Sequence, residues 1–304
     1  MTGRSRREAA FFIAVLIVMG AGWGITLPLT KIAVSTGYQH FGLIFWQLVI
    51  GAVLMSVIGL IRGTKLPVTR PQLAICLMVL MIGTVLPNTT SYQAAVHLPS
   101  GILSLLLSMV PMLAFPIALA MGLDRFSWPR LAGLSLGLVG VLMIAVPGAQ
   151  AMNLSVFWIV VALIASLCYG LEGNLVARFG TAGLDAFQVL YGASLMGAVM
   201  MLPVAVLTGQ WIPPGAALTP EGQALIAGSA IHVLVYAGYV WMVGRAGPVF
   251  TVQVSYLVTG FGVFWAKLIL DETYSPGIWA AMALMFAGIW LVQPRRKSDL
   301  VADG

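Results

Sequence analysis

Glu172 is the only acidic residue set well inside a long apolar segment of this 304-residue chain. An ionised carboxylate in hydrocarbon costs about 2.5–3.5 kcal/mol even on a lenient insertion scale. Two readings of it stand. It snorkels toward the inner interface or pairs with a nearby base; or it faces a wet cavity and binds a proton or a substrate cation. His232 lies near the middle of another apolar segment. It is either a hydrogen-bonded packing residue or, because imidazole changes charge near neutral pH, a substrate hydrogen-bonder or second proton carrier. Glu172 and His232 are therefore the proton-coupling candidates.

Other polar residues recur at helical spacing. Trp23, Thr26 and Thr30 share one segment; Thr84, Asn88 and Tyr92 another; Ser100, Ser104 and Ser108 a third. Ser166, Tyr169 and Glu172 follow at intervals of three, then Ser229, His232, Tyr236 and Tyr239, then Gln253, Tyr256 and Gly260. Intervals of three and four place such groups on one helical face. A single Ser or Thr of this kind commonly bonds back to its own helix or glues two helices together. Six stripes on six segments instead predict a shared cavity. The expected substrate-binding residues are Trp23, Thr26, Asn88, Tyr92, Ser104, Ser108, Tyr169, Glu172, His232, Tyr236, Gln253 and Tyr256.

The elements that must position them are transmembrane helices. Ten apolar stretches fall at roughly 10–34, 41–61, 72–94, 100–122, 129–147, 154–177, 186–207, 222–243, 248–270 and 276–293. The chain is 60% hydrophobic and 8% charged, a balance no soluble surface can carry. A spanning helix needs about 20 apolar residues, so the ten fill the chain and leave no room for a soluble catalytic domain. The runs are continuous rather than alternating, which argues against strands. Arg4, Arg6 and Arg7 precede an apolar run that continues to about Val34, longer than a signal-peptide core, so it is expected to be an uncleaved first helix.

Of 15 Lys and Arg residues, all but Lys31 and Lys267 fall on one set of alternate loops and tails. That bias predicts both termini in the cytosol. Basic residues spread over every inner loop do not make a nucleic-acid groove. Lys31 and Lys267 are expected to snorkel at outer helix ends. Asp124, Asp271 and Glu272 are expected to cap the helices that follow them. Cys76 and Cys168, inside apolar segments, behave as small hydrophobes. Gly133 and Gly137 permit a close contact, internal or between subunits.

The second half echoes the first. Asp124-Arg125-Phe126-Ser127 returns as Glu272-Thr273-Tyr274-Ser275, and Gly140 returns as Gly288. Trp23-Gly24 with Lys31 returns as Tyr169-Gly170 with Arg178. Five spans per copy is an odd number, so the copies enter the membrane from opposite sides, giving an inverted repeat of the kind used for alternating access. In these residues, together with Leu123 and Leu270-Asp271 and with the Gly133, Gly137 and Gly140 spacing, the chain resembles the EamA-like branch of the drug/metabolite transporter superfamily. The resemblance covers about residues 10–293. It departs where Asp124 stands in place of the usual Glu, and where Thr259-Gly260 stands opposite Pro111. The resemblance implies an all-α integral membrane fold: ten helices as two inverted five-helix repeats around a central cavity walled by helices 1, 3, 4, 6, 8 and 9. The expected organisation is a cytosolic tail (1–9), repeats at 10–147 and 154–293, and a cytosolic tail (294–304).

The expected function is secondary transport of a small organic metabolite. There is no phosphate-binding G-x-x-x-x-G-K-[ST] loop and hence no ATP-driven engine. No Arg or Lys lies at mid-membrane depth, which disfavours polyanionic substrates. Amino acids and amphiphilic or cationic metabolites fit better, and the resemblance implies export across the inner membrane. An intramembrane transferase would need paired acids or a nucleophile beside a base, and neither pattern is present. A lipid-headgroup flippase or transporter subunit is the alternative. No metal or other cofactor is expected; the expected partners are the substrate and the bilayer, with the chain a monomer or homodimer.

Overall fold

The computed structural model describes residues 6–63, 66–145, 155–246 and 254–291. Among them all regular structure is helical. The long helices are α1 (Arg6–Ala33), α2 (His40–Arg62), α3 (Arg70–His97), α4 (Ser100–Ala120), α5 (Trp128–Ala145), α6 (Val156–Phe179), α7 (Ala186–Leu207), α8 (Pro220–Ala246), α9 (Val254–Leu270) and α10 (Pro276–Leu291). Six of them, α1–α4, α6 and α7, are long and apolar enough to span a bilayer by length and composition alone. Shorter apolar runs lie in α5, α9 and α10. Gln253 and the expected tail 294–304 lie outside the described residues.

Two of these helices are interrupted, each just before a proline. Pro87 has no N–H for the carbonyl of residue 83, and its ring crowds that carbonyl. α3 answers by widening into a π-helical turn at Met81–Val85, a common response to a broken ladder. Pro111 stands in the same relation to Leu107, and α4 breaks between its two parts, Ser100–Leu107 and Val110–Ala120. Other ends follow ordinary capping. At α7, Asp185 Oδ1 accepts from the Gln188 N–H at 2.7 Å, and Gln188 Oε1 accepts from the Asp185 N–H at 3.0 Å, a reciprocal capping box.

The packing obeys the repeat. Exchanging α1–α5 with α6–α10 carries the α1–α8 contact onto α6–α3, α1–α9 onto α6–α4, and α2–α8 onto α7–α3. The α2–α7, α4–α9 and α5–α10 contacts map onto themselves. Glycines set the closest of these approaches. A Cβ on Gly288 would sit 2.6 Å from the Gly133 carbonyl, and one on Gly140 would sit 2.6 Å from Met285. The glycine spacing of α5 therefore serves an internal contact with α10. Large apolar side chains such as Leu60, Val199 and Leu207 remain exposed on the outside, as a lipid-facing surface requires. One part of the packing is unpaired. α1 also packs on α3 and α4, whereas among the described residues its mate α6 makes no comparable contact with α8 or α9.

Candidate functional site

A cavity of about 570 Å³ lies between the two repeats. α1 contributes Trp23, Thr26 and Thr30; α3 contributes Asn88, Ser91 and Tyr92; α4 contributes Ser104, Ser108 and Pro111. From the second repeat come Tyr169 and Glu172 on α6, Ser229, His232 and Tyr239 on α8, and Thr259 on α9. Nine of the residues expected from sequence are thus brought together: Trp23, Thr26, Asn88, Tyr92, Ser104, Ser108, Tyr169, Glu172 and His232. Tyr236 does not line the cavity; it packs against the cluster of Met55, Phe187, Tyr191 and Val233. Tyr256 is placed by its backbone on α9.

The echoed aromatic-glycine pairs explain how two of the walls are built. Gly24 lets α1 approach α9 so closely that a Cβ would meet the Gly262 nitrogen at 2.9 Å. Gly170 does the same for α6 on α4, with the Ala114 nitrogen at 3.1 Å. The residue before each glycine, Trp23 or Tyr169, then turns into the cavity. The Trp23 ring lies beside those of His232 and Tyr239, with centroids 6.1 and 5.6 Å away. Trp23 Nε1 is buried without a hydrogen-bond partner among the described residues. An unmet buried donor costs about 1–3 kcal/mol, a cost that a bound acceptor removes.

A polar relay crosses the opposite wall. Tyr92 donates its hydroxyl to Gln47 Oε1 at 2.7 Å, and Asn88 Nδ2 donates to the same oxygen at 3.0 Å. Tyr169 in turn donates to Asn88 Oδ1 at 3.3 Å. Gln47, on α2, lines the cavity and is absent from the residues expected from sequence. Its one signal is that it is the only amide within the apolar run of α2. Because its carbonyl oxygen takes two donors, its amide group has a set orientation.

The serines divide between two roles. Ser166 is fully buried and donates to the Leu106 carbonyl at 2.9 Å, so it joins α6 to α4. Ser104 donates to the Thr259 carbonyl at 3.2 Å and Ser108 to Leu105 at 2.6 Å, while both still border the cavity.

Glu172 is half-buried at the cavity edge and has neither a hydrogen bond nor an ion pair among the described residues. Its carboxyl group rests on the Cα of Gly83, where a Cβ would lie 2.5 Å from Cδ and Oε1 and 2.6 Å from Oε2. Gly83 belongs to the π-helical turn that precedes Pro87. No Lys or Arg is among the described lining residues.

Two charged groups are placed differently from expectation. Lys31 bonds to carbonyls at the end of another helix, α3, where snorkelling with favourable helix-end electrostatics is expected. Glu272 caps the start of α4 in the other repeat, where a cap on the following helix is expected. Both partners lie too far away in sequence for local reasoning to find them.

The model of the EamA-like transporter family matches residues 10–146 and 156–293. The chain belongs to that family. Its relatives include a protein of Streptantibioticus cattleyicolor named "Probable terminal-alkyne amino-acid exporter", 25% identical over 291 residues and covering 92% of each chain. The inner membrane transporter YedA of Escherichia coli is 22% identical, over 89% of this chain and 86% of its own. An S-adenosylmethionine/S-adenosylhomocysteine transporter of Chlamydia trachomatis is 23% identical, over 89% and 85%. A solved crystal structure superposes with a TM-score of 0.62 at 18% identity, covering 98% of this chain and 99% of that one. It shares the fold. The family member described here is a multi-pass membrane transporter, not an enzyme.

Proposed function

We propose that this EamA-like protein exports a small metabolite bearing an amino group, an amino acid or a related amphiphilic or cationic compound, across the bacterial inner membrane by alternating access. The observation that carries the reading is the lone carboxylate of Glu172, without a hydrogen-bond or ion-pair partner among the described residues, in a cavity with aromatic walls and no Lys or Arg among its described lining. A substrate ammonium satisfies that carboxylate; a proton satisfies it when the substrate has left. Competition for one carboxylate couples the two fluxes without a further device. The volume of about 570 Å³ falls within the usual 300–1,000 Å³ of small-molecule sites. A substrate carboxylate or other acceptor meets the Trp23 indole N–H and the Gln47 amide. His232 beside Trp23 is the second group able to bind substrate or carry a proton.

The relatives whose names refer to an amino acid and to S-adenosylmethionine support this class of substrate. The excess of Lys and Arg on alternate loops supports cytosolic termini. The expected repeat limits, 10–147 and 154–293, are retained in this proposal. The test is counterflow in proteoliposomes against a panel of labelled amino acids and cationic metabolites, with and without a pH gradient. The reading expects exchange of at least one amine-bearing compound, accelerated by the gradient. It fails if only anionic compounds exchange.

A further inference from the structure

We propose that Gln47 decides which amines this site accepts: its amide N–H groups receive the carboxylate of an α-amino acid, so that a bare amine is refused. The inference rests on the reading that Glu172 receives the substrate's ammonium, and it narrows that reading to zwitterions.

The relay fixes what Gln47 offers. Its Oε1 accepts from the Tyr92 hydroxyl at 2.7 Å and from Asn88 Nδ2 at 3.0 Å. A carbonyl oxygen has two lone pairs, so both are taken. Asn88 is itself oriented, because its Oδ1 accepts from the Tyr169 hydroxyl at 3.3 Å. Every bond of the chain runs toward the Gln47 oxygen, and hydrogen bonds aligned in this way polarise one another. The Gln47 amide nitrogen keeps two N–H donors. It makes no hydrogen bond among the described residues, and the side chain lines the cavity.

The groups left over describe the substrate. Trp23 Nε1 is a second neutral donor, buried without a partner among the described residues. Glu172, the one carboxylate among the described lining residues, is an acceptor. A bare amine satisfies Glu172 and leaves both donors unmet. A bare carboxylate satisfies the donors, but it is repelled by Glu172 and finds no Lys or Arg among the described lining. A zwitterion satisfies both ends. The spacing suits a small one. The Glu172 carboxyl group rests on Gly83. Asn88, bonded to Gln47, stands further along α3 by roughly 7 Å of helix rise. An α-amino acid with a hydrogen bond at each end reaches roughly 8–9 Å. Tyr169 and Glu172 share α6, so the helix that holds the ammonium end also anchors the relay that orients the carboxylate end.

The test is isothermal titration of the purified full chain in detergent at neutral pH. The probes are the common L-amino acids and the amine that each becomes on loss of its carboxyl group. The quantity read is the ratio of the two affinities, with a melting temperature to show that each variant is folded. In the parent, the amino acid that binds best should bind about ten- to a hundredfold more tightly than its own amine, the value of one hydrogen bond to a charged group. Gln47→Glu keeps an oxygen for Tyr92 and Asn88 but turns a second oxygen toward the cavity, and the ratio should fall to one or below. Gln47→Met offers no donor, and the ratio should fall to about one. A purely structural role for Gln47 weakens amino acid and amine alike, so a ratio that stays at the parent value in either folded variant overturns the proposal. An amine that binds the parent as tightly as its amino acid also overturns it, and leaves the reading of Glu172 standing. If neither series binds, the reading of Glu172 falls together with the proposal.

Discussion

The contact between Gly83 and Glu172 makes Gly83→Ala the most informative single substitution. The added Cβ would lie 2.5 Å from the Glu172 carboxyl carbon, whereas ordinary contact begins near 3.4 Å. The carboxyl group must therefore move by about 0.9 Å. It is the far end of a flexible side chain at a cavity edge, so it can move without disturbing the backbone. Alanine also removes the conformational cost of a mid-helix glycine, about 0.8–1.0 kcal/mol in α-helical hosts. The variant should fold and express as the parent does, with thermal stability unchanged or slightly raised. Substrate affinity should fall. A hydrogen bond to a charged group contributes about 1.5–3 kcal/mol, which corresponds to about ten- to a hundredfold in affinity when its geometry is lost. Counterflow in proteoliposomes, with the melting temperature in detergent as companion, reads both quantities. Gly173→Ala is the control, because nothing lies within 4 Å of its Cβ position although it adjoins Glu172. Parent-like affinity in Gly83→Ala would show that carboxyl placement does not matter, and the argument from Glu172 would fall.

Other predictions follow from the same geometry. Glu172→Gln should abolish proton-driven flux and flatten its pH dependence while expression stays intact; unchanged pH-dependent transport in that variant removes Glu172 from the mechanism. Gln47→Ala leaves the Tyr92 hydroxyl and the Asn88 amide without their shared acceptor, and should lower stability by about 1–3 kcal/mol as well as weakening substrate binding. Tyr92→Phe, which removes only one donor, should cost about 1 kcal/mol; a larger loss than Gln47→Ala in a melt would contradict the relay. Gly288→Leu forces a side chain against the Gly133 carbonyl and Met112 and should destabilise the α5–α10 pair by about 1–3 kcal/mol, with little change in substrate specificity among molecules that remain folded.

Much of the framework is legible in the sequence because the membrane imposes simple rules. Apolar run length reports the helices, and the returning aromatic-glycine and acid-turn elements report the repeat. Nine of the twelve expected substrate-binding residues meet in one cavity. Tyr236 shares the period of His232, yet tertiary packing draws it against Phe187 and Tyr191; periodicity alone does not say how wide a cavity face is. Gln47 escapes because one polar residue makes no stripe. The π-helical turn has a readable cause in Pro87, but its contact with Glu172 joins α3 to α6 and has no local trace. The same holds for Lys31 and Glu272, whose types are visible and whose partners lie 64 to 67 and 171 to 172 positions away. Glycine spacing in α5 announces a close neighbour without naming it, and the structure supplies α10.

Substrate protection of introduced thiols tests the central claim most directly. With a transported compound identified by counterflow, Thr26→Cys places a reporter in the cavity, and Tyr236→Cys places one in the neighbouring packed cluster. Saturating substrate should slow alkylation of position 26 and leave position 236 unaffected, and adding Glu172→Gln should abolish the protection. Equal protection at both positions, or protection that survives Glu172→Gln, would contradict a binding site organised around that carboxylate.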